Sequence, residues 1–352
     1  MGNREVVIVV SYIIRRLLLL PLILFGVSLI IFGMLELLGP DKLVSVYIRG
    51  PESEKVAGAA ERIIKKYGLD QPLPVKYAKW VGNILKGDLG WSLVGKQPVL
   101  NAILSRFPYT LELALWAIVP VVFVGIWLGV VSAIHHNRFL DHFLRVFAIV
   151  GWSFPDFVFG LFMILIFYSK LGWFPPGYLS YESEEIVRSA EFMKITGLVT
   201  IDSLINGRFD VFLDALRHLI APVITLAYLW WAYILRITRS SMLEVLRKEY
   251  IRTARSKGLP EDVVIHKHAK RNALIPVATV AGQMIIALLA GTVIIETVFN
   301  RPGLGRFMAT AATQLDYMSI IGGALFYSLL LVLGNLVVDV SYAIIDPRIR
   351  LK

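Results

Sequence analysis

Six long apolar segments constrain the fold of this 352-residue chain more than any other feature. A helix needs roughly 20 residues to cross a hydrocarbon core of about 30 Å, and lipid offers a non-helical backbone no hydrogen-bond partners. With 57% hydrophobic residues the chain is also more apolar than an ordinary soluble domain. We predict an all-α polytopic membrane protein with six transmembrane helices. These lie near residues 17–38, 111–134, 143–169, 219–235, 274–299 and 319–344.

The distribution of Lys and Arg sets the predicted orientation. With the N-terminus inside, the cytoplasmic segments hold 18 of the 36 basic residues in 72 positions, whereas the outer segments spread the other 18 over 140 positions. Cytoplasmic loops of membrane proteins are enriched in basic residues, so both termini are predicted to be cytoplasmic. Arg15 and Arg16 precede the first apolar segment as in a secretory signal, but its length favours a retained helix. We expect a multi-pass protein of the plasma or inner membrane.

The loops divide the chain into predicted parts. In order, these are a cytoplasmic N-terminus (1–16), a first transmembrane helix (17–38), an extracytoplasmic loop with short helices (39–110), a five-helix core (111–344) with an extracytoplasmic insertion at about 170–218 and a cytoplasmic loop at about 236–272, and a cytoplasmic tail (345–352). Amphipathic spacing in the first outer loop predicts helices near Glu52–Tyr67 and Val75–Leu85. They either pack against the outer ends of the bundle or contact a substrate-delivering protein.

The cytoplasmic loop 236–272 is strongly basic, with ten Lys and Arg residues against four Asp and Glu. Apolar residues recur every three or four positions from Met242 to Lys257, which predicts one helix with Tyr250 on its apolar stripe. Gly258 stands where a helix end needs a left-handed residue, and Pro260 with the acids after it suits the first turn of a new helix. The loop is therefore predicted to form two short helices around a sharp turn, projecting from the bilayer as a docking surface.

The positive charge of this loop does not by itself identify a partner. Nucleic acid is one interpretation, but beside a membrane helix the headgroups of membrane lipids or an acidic protein groove explain the charge more simply. We therefore predict no nucleic acid partner. The chain has no cysteine, which excludes disulfides, thiolate metal sites and cysteine nucleophiles. Its loop histidines have no carboxylate cluster at ligand spacing, so no metal site, cofactor or enzyme active site is predicted.

The run from Tyr250 through Gly258 to Pro276 resembles the cytoplasmic coupling loop of ABC import permeases of the dipeptide, oligopeptide and nickel branch. The general consensus of that loop is Glu-Ala-Ala, three residues and Gly, and Arg252-Thr253-Ala254 stand at those positions before Gly258. Further segments similar to the same branch occur in order along nearly the whole chain. They are Gly87–Ser92, Thr110–Ala114, Glu296–Phe299, Arg301–Gly305, Asn335–Asp339 and Asp346–Arg350.

The resemblance implies a type I ABC importer permease fold and a subunit that forms the translocation pathway for dipeptides or oligopeptides. It also implies a homologous second permease subunit, two cytoplasmic ATP-binding subunits and an extracytoplasmic solute-binding protein. Oligosaccharides or nickel are the alternative cargoes within the same machinery. The residues that would couple to the ATPase are Glu249, Tyr250, Arg252, Thr253, Ala254, Arg255, Lys257, Gly258, Leu259, Arg271, Asn272 and Pro276.

The segment Gly90–Gln97 has the glycine and lysine spacing of a phosphate-binding loop, with Gln97 in place of the final Ser or Thr. A nucleotide loop needs that hydroxyl for magnesium, together with a strand before it and a helix after it. Pro98 follows directly, and the predicted topology places the segment outside the cell. We interpret the match as chance, so the chain is predicted to be a non-catalytic subunit whose ATP is hydrolysed by partners.

Charged residues inside predicted spans are candidates for the translocation pathway, because a charge at bilayer depth costs at least about 2.5 kcal/mol unless it is paired or hydrated. Asp156 follows Pro155 in the third span, where a bend would turn Trp152, Ser153 and Asp156 toward a lumen. The alternative is that Asp156 caps the helix after the proline. Glu296, near the outer end of its span, is predicted to reach the headgroups or a gate.

Two other classes of membrane protein compete with the importer interpretation. An ion-coupled secondary transporter would carry its own coupling carboxylates and repeated halves with broken helices, and only Asp156 fits this description. A channel or passive scaffold would have no use for a projecting helix-turn-helix.

Overall fold

The computed structural model describes residues 3–37, 64–65, 68–290 and 292–345. The tail 346–352 and nearly all of the predicted helix Glu52–Tyr67 lie outside these residues. In chain order the helices are α1 (Asn3–Glu36), α2 (Leu73–Leu85), α3 (Val99–Leu104), α4 (Phe107–Ile134), α5 (Phe139–Ser153), α6 (Asp156–Met163), α7 (Tyr181–Arg188), α8 (Val199–Ile205), α9 (Phe209–Val245), α10 (Glu249–Ser256), α11 (Glu261–Val263), α12 (Lys270–Ala290), α13 (Val293–Val298), α14 (Leu304–Thr313) and α15 (Tyr317–Ile345).

Two π-helical segments and one hairpin complete the described structure. Ile164–Lys170 continues α6, and Val264–Ala269 joins α11 to α12. Strands β1 (Trp91–Ser92) and β2 (Gln97–Pro98) pair antiparallel. The described residues form two compact units, the first from Met1–Pro108 with Pro302–Leu336 and the second from Tyr109–Arg301 with Val337–Lys352.

Among the described residues, five helices are long and apolar enough to cross a membrane, and a bent pair makes a sixth span. The prediction of an all-α polytopic protein is therefore confirmed. The bent pair is Phe139–Ser153 with Asp156–Lys170, whose axes differ by 103°. The bend predicted in the third span is therefore present, because Pro155 interrupts the backbone between its two parts. The other spans are Leu17–Glu36, Val99–Ile134, Phe209–Val245, Glu261–Leu288 and Tyr317–Val338.

Helix α9 is longer than the fourth span predicted from hydropathy. It runs without a break from Phe209 to Val245, so it begins inside the segment predicted as the insertion. Its neighbours in the second unit include α5, α6, α8 and α12. Two glycines of α4 lie directly against side chains of α9. An added Cβ would lie 2.7 Å from Ile234 Cγ2 at Gly125 and 2.5 Å from Thr238 Cβ at Gly129. Small residues four positions apart bring membrane helices into this kind of contact.

Polar contacts hold the insertion against the helices of the second unit. The Thr200 N–H and hydroxyl donate to Glu112 Oε1 of α4 at 2.8 and 2.9 Å. Trp116 Nε1 donates to Thr200 Oγ1 at 3.2 Å, and the Ser180 N–H donates to Asp214 Oδ2 of α9 at 2.8 Å. The insertion is therefore fixed at several points along its length.

In the first unit, α2 packs against the end of α1. The Ser28 and Tyr77 hydroxyls lie 2.7 Å apart, and Lys76 Nζ lies 2.8 Å from Glu36 Oε2. Phe32 contacts the ring of Tyr77 with a centroid separation of 5.3 Å. The apolar side predicted for this amphipathic helix is thus turned toward α1. This agrees with the alternative in which the helix packs against the bundle.

The segment Gly90–Gln97, which resembles a phosphate-binding loop, belongs to a β-hairpin whose residues donate hydrogen bonds to the carboxylate of Asp316. Asp316 Oδ2 accepts hydrogen bonds from Ser92 Oγ at 2.9 Å and from the Val94 N–H at 3.0 Å. The same oxygen accepts from Ser319 Oγ at 2.7 Å, at the start of α15. A backbone donor of the kind that holds phosphate in a nucleotide loop therefore binds Asp316 here.

Candidate functional site

The loop predicted to be cytoplasmic forms an elbow, defined here as residues 249–269. The elbow comprises α10, the turn after it, α11 and the following π-helical segment. Ile251 and Ala254 are the buried residues of α10. They belong to one apolar cluster with Val264 and Ile265 of the π-helical segment. This three-residue spacing gives the short helix α10 one apolar side, and packing of that side folds the two arms of the elbow together.

The predicted single helix from Met242 to Lys257 is wrong in one respect. Helix α9 ends at Val245, and Lys248 adopts an extended conformation with φ −73° and ψ 148° before α10 begins at Glu249. The helical phase is reset at this break. Consequently Ile251 faces inward while Tyr250, predicted on the apolar stripe, is 44% exposed.

The turn predicted at Gly258 is confirmed. Gly258 has φ +74°, and its N–H donates to the Arg255 carbonyl at 2.9 Å. Pro260 then precedes α11, which begins at Glu261. A Cβ added to Gly258 would meet no atom within 4 Å. The requirement for glycine is therefore one of backbone conformation alone.

An ion pair between Arg255 and Glu261 connects the two arms of the elbow across this turn. Arg255 Nε donates to Glu261 Oε2 at 3.1 Å, and Nη2 donates to Oε1 at 2.7 Å. These hydrogen bonds raise the pKa of Arg255 above its ordinary value. The bidentate geometry fixes the relative orientation of the two side chains more strictly than a single contact would.

Most of the predicted coupling residues lie on the outside of this region. Glu249 and Arg252 are 84% and 80% exposed in their side chains, with Arg252 Nη1 3.7 Å from Glu249 Oε1. Ala254 is the exception, because it is buried behind the surface that the others present. The exposed members are Glu249, Tyr250, Arg252, Thr253, Arg255, Lys257, Gly258, Leu259, Arg271, Asn272 and Pro276. Asn272 donates to the His268 carbonyl at 3.0 Å, which stabilises the start of α12.

A buried carboxylate that sequence reasoning missed anchors the end of α9, from which the elbow extends. Arg239 Nε and Nη2 donate to the two oxygens of Asp141 at 2.7 and 2.8 Å. Ser132 of α4 and the Asn137 N–H also donate to this carboxylate, whose side chain is fully buried. The contacts tie α4, α5 and α9 together. The only signal in the sequence was an acid in a helix first turn.

The pathway candidates Trp152, Ser153 and Asp156 meet at the bend between α5 and α6. Trp152 is 61% exposed and stacks on Tyr233 with ring centroids 5.8 Å apart. Asp156 begins α6, where its Oδ1 accepts the Phe157 N–H at 2.9 Å. Pro155 rather than Asp156 is the N-cap residue of α6. A role for the three residues in a pathway stays a prediction.

Glu296 does not reach the headgroups as one of its two predicted alternatives requires, and a role at a gate stays a prediction. Its carboxylate is fully buried, and Oε1 accepts hydrogen bonds from Thr110 and Thr292, both at 2.6 Å. It does not reach lipid headgroups, because the threonine hydroxyls satisfy it inside the protein. Together with Glu112 and Arg301 it forms what we call the buried polar cluster.

Arg301 is the cation of this cluster. Its Nη2 lies 3.4 Å from Glu112 Oε2, its guanidinium carbon lies 5.2 Å from the centre of the Tyr178 ring, and its side chain is fully buried. Burial lowers the pKa of Arg301, while the Glu112 carboxylate acts in the opposite direction. Among the described residues, Nε and Nη1 have no hydrogen-bond partner. The Glu112 carboxylate offsets the buried charge most strongly of the described carboxylates, and Glu296 adds to it.

Comparison with known proteins shows the family. Residues 125–351 match the binding-protein-dependent transport system inner membrane component, and residues 9–114 match the N-terminal part of such membrane components. The di/tripeptide transport system permease protein DppB of Pseudomonas aeruginosa is 40% identical over 341 residues, covering 97% of this chain and 98% of that protein. The oligopeptide transport system permease protein AppB of Bacillus subtilis is 38% identical over 342 residues, covering 97% and 99%.

A further relative is named for another substrate. The glutathione transport system permease protein GsiC of Shigella flexneri is 37% identical over 342 residues, covering 97% of this chain and 99% of that protein. A solved amino acid ABC transporter matches 75% of this chain and 97% of that chain with a TM-score of 0.47 and 15% identity. By its match along most of its length, the chain belongs to the family of binding-protein-dependent transport system inner membrane components, the membrane-spanning permeases of ABC importers.

Proposed function

We propose that this chain is one of the two membrane subunits of an ATP-driven importer of short peptides, and that it lines the translocation pathway. The relatives named above support a peptide cargo, since they are named for the transport of di- and tripeptides, oligopeptides and glutathione. All three are 37 to 40% identical to this chain over nearly its whole length.

The elbow is the observation that carries the proposal. It presents exposed charged residues around Gly258, while Ile251 and Ala254 pack it onto the residues that precede α12. Its arms join α9 on one side to α12 on the other, and both of these are membrane spans. A partner that grips the elbow can therefore move two spans at once.

The proposed mechanism follows from that connection. Two ATP-binding subunits hold the elbow of this chain and that of a homologous second permease subunit. When they close on ATP, each elbow moves as a rigid piece because the Gly258 turn and the Arg255–Glu261 pair fix its angle. The attached spans then tilt and open the pathway to the side where a solute-binding protein releases its peptide.

The proposal places both termini and the elbow in the cytoplasm of a cell whose plasma or inner membrane holds the transporter. It also assigns ATP hydrolysis to the partner subunits. The hairpin that resembles a nucleotide loop supports this assignment, since its Val94 N–H is bonded to Asp316. Selectivity for individual peptides is assigned largely to the solute-binding protein.

Uptake by sealed vesicles that contain the complete transporter tests the function. We expect accumulation of a labelled dipeptide to need ATP inside the compartment that holds the elbow and to persist with a proton uncoupler. Uptake that needs no ATP and stops with the uncoupler would identify a secondary transporter. Competition by unlabelled dipeptide, oligosaccharide and nickel, together with thermal shifts of the solute-binding protein with the same compounds, identifies the cargo class.

A further inference from the structure

The short helix α8 of the insertion buries its polar side chains and exposes its apolar ones. Thr200, Asp202 and Ser203 are buried, with no more than 2% of any of them exposed. Three apolar residues are 42%, 44% and 48% exposed and form what we call the outer face: Ile201, Leu204 and Ile205. Their spacing of three and four positions places them on one side of the helix. This is the reverse of a surface helix in a soluble protein, which turns its apolar side to the core.

Hydrogen bonds explain why the polar side of α8 is turned inward. Asp202 Oδ1 accepts the Thr196 N–H and hydroxyl at 2.8 and 2.7 Å, and Oδ2 accepts the Gly197 N–H at 3.0 Å. Thr200 donates twice to Glu112 of α4. Burying these polar groups without partners would be costly. The contacts therefore fix which side of α8 faces outward.

The contact with α4 sets the level of α8 along the membrane normal. Trp116 Nε1 donates to Thr200 Oγ1 at 3.2 Å. The other end of α4 lies on the side of the elbow, because Ser132 and the last part of α9 share the Asp141 carboxylate. Helix α4 rises about 27 Å from Trp116 to Ile134 at 1.5 Å per residue, and a hydrocarbon core is about 30 Å thick. Helix α8 therefore lies at the boundary of the core opposite the elbow.

The outer face is continuous with an exposed apolar stripe on α4. Exposed residues recur every three or four positions along this membrane span, so they share one side of the helix. They are Trp116, Val119, Phe123 and Trp127. The hydrogen bond from Trp116 to Thr200 joins this stripe to α8. The surface that the span presents to the bilayer thus extends onto the insertion.

The charged residues that follow α8 are paired with each other. Arg208 Nε and Nη2 donate to Asp210 Oδ1 and Oδ2 at 3.0 and 2.6 Å. An interface with a soluble protein normally has a polar rim that pairs with the partner. Because this neighbouring ion pair is closed on itself and the outer face is apolar throughout, acyl chains suit it better than a protein surface.

We propose that the outer face of α8 lies in lipid, in the leaflet opposite the elbow. The insertion is then a cap partly embedded in that leaflet, not a domain held above it in water. Acyl chains cover Ile201, Leu204 and Ile205, while Trp116 stands at the level where tryptophan is enriched in membrane proteins. The proposal stands independently of the transported cargo.

Spin labelling tests where the outer face lies. The chain has no cysteine, so Ile205→Cys gives one labelling position when the transporter is assembled with cysteine-free partner subunits. In phospholipid vesicles we expect the label to collide several fold more often with oxygen, which concentrates among acyl chains, than with water-soluble chromium oxalate. Glu185→Cys, at an exposed residue of α7 in the same insertion, is the matched control and should show the reverse order. Phe123→Cys, on the exposed stripe of α4, should behave like position 205.

Leu204→Cys, on the same face, serves if the Ile205→Cys transporter does not assemble. More frequent collisions with chromium oxalate at position 205 would overturn the proposal, because the face would then be in water. Rare collisions with both reagents would also overturn it, because a second membrane subunit or the solute-binding protein would then cover the face. Equal preference for oxygen at positions 205 and 185 would overturn the assignment to this face. Peptide uptake by vesicles with the unlabelled transporter, measured separately, reports on the proposed function alone.

Discussion

The elbow and the buried polar cluster both depend on arginine–carboxylate pairs, but the two pairs stand in opposite environments. Arg255 and Glu261 are 44% and 55% exposed and make two well-directed hydrogen bonds. Arg301 and Glu112 are 0% and 1% exposed, and a single contact of 3.4 Å joins them. An exposed pair contributes between about 0 and 1 kcal/mol, whereas breaking a buried pair by removing one partner costs about 3–5 kcal/mol. Removing one partner is thus expected to cost more in the interior than at the surface, despite the poorer geometry, because it leaves a buried charge uncompensated.

The largest effect is expected from breaking the buried pair of Arg301 and Glu112. Arg301→Met leaves the buried Glu112 carboxylate without its cation, and we expect the free energy of unfolding to fall by about 3–5 kcal/mol. Thermal unfolding in detergent measures the loss. The matched control is Arg188→Met, a substitution at a 74% exposed side chain that should change stability by less than about 0.5 kcal/mol. A double variant with Glu112→Gln should be less damaged than the two single losses added together. Strict additivity would show that the two residues do not interact.

The second prediction tests the phase of the helix in the elbow. Ile251 is fully buried in the cluster with Val264, so Ile251→Ala should cost about 2–4 kcal/mol through the cavity it leaves. Tyr250→Ala, at a 44% exposed neighbour, should cost less than about 1 kcal/mol. Limited proteolysis of the loop and thermal unfolding report both changes. A larger loss of stability in Tyr250→Ala than in Ile251→Ala would support the uninterrupted helix predicted from periodicity instead.

The third prediction concerns the turn. Gly258→Val should disfavour the φ of +74° by about 1–2 kcal/mol, and we expect ATP hydrolysis to continue while peptide uptake falls several fold. Gly207→Val is a matched control, because Gly207 has φ +67° and, like Gly258, no atom within 4 Å of an added Cβ. It lies after α8 and outside the elbow. Normal uptake by the Gly258→Val transporter, or an equal loss in the control, would contradict the assigned role.

The smallest effect is expected at the surface pair. Glu261→Gln removes one charge of the exposed pair with Arg255, and the free energy of unfolding should fall by no more than about 1 kcal/mol. The difference from the parent should shrink further at high salt, because ions screen exposed charges. Chemical unfolding at low and high salt checks both statements. A fall of several kcal/mol in the free energy of unfolding would show that this exposed pair behaves like the buried pair instead.

Local signals predicted the part of the elbow that local forces determine. A glycine followed two positions later by a proline marks a helix end and a new helix start, and Gly258 and Pro260 behave accordingly. The break at Lys248 was not predictable in the same way. It has neither glycine nor proline, and the chain turns there because Ile251 then reaches the apolar cluster.

Long-range contacts account for the remaining differences. Glu112 and Arg301 are 189 residues apart in the sequence. Asp316, which accepts a hydrogen bond from the Ser92 hydroxyl, lies 224 residues after Ser92. No spacing rule connects such pairs. Glu296 was therefore predicted to reach the headgroups or a gate, and Gly90–Gln97 was recognised only as an imperfect nucleotide loop. By contrast, the fold class depended on apolar segments about 20 residues long, which single-chain hydropathy reveals directly.

Helix α9 has a mechanical consequence. Its 37 residues from Phe209 to Val245 extend about 55 Å at 1.5 Å per residue, well beyond a hydrocarbon core. A rod of this length acts as a lever arm. A pull that tilts the helix by about 10° around its middle displaces each end by about 5 Å. When the end at Val245 moves in one direction, the end at Phe209, where the insertion is attached, moves in the opposite direction.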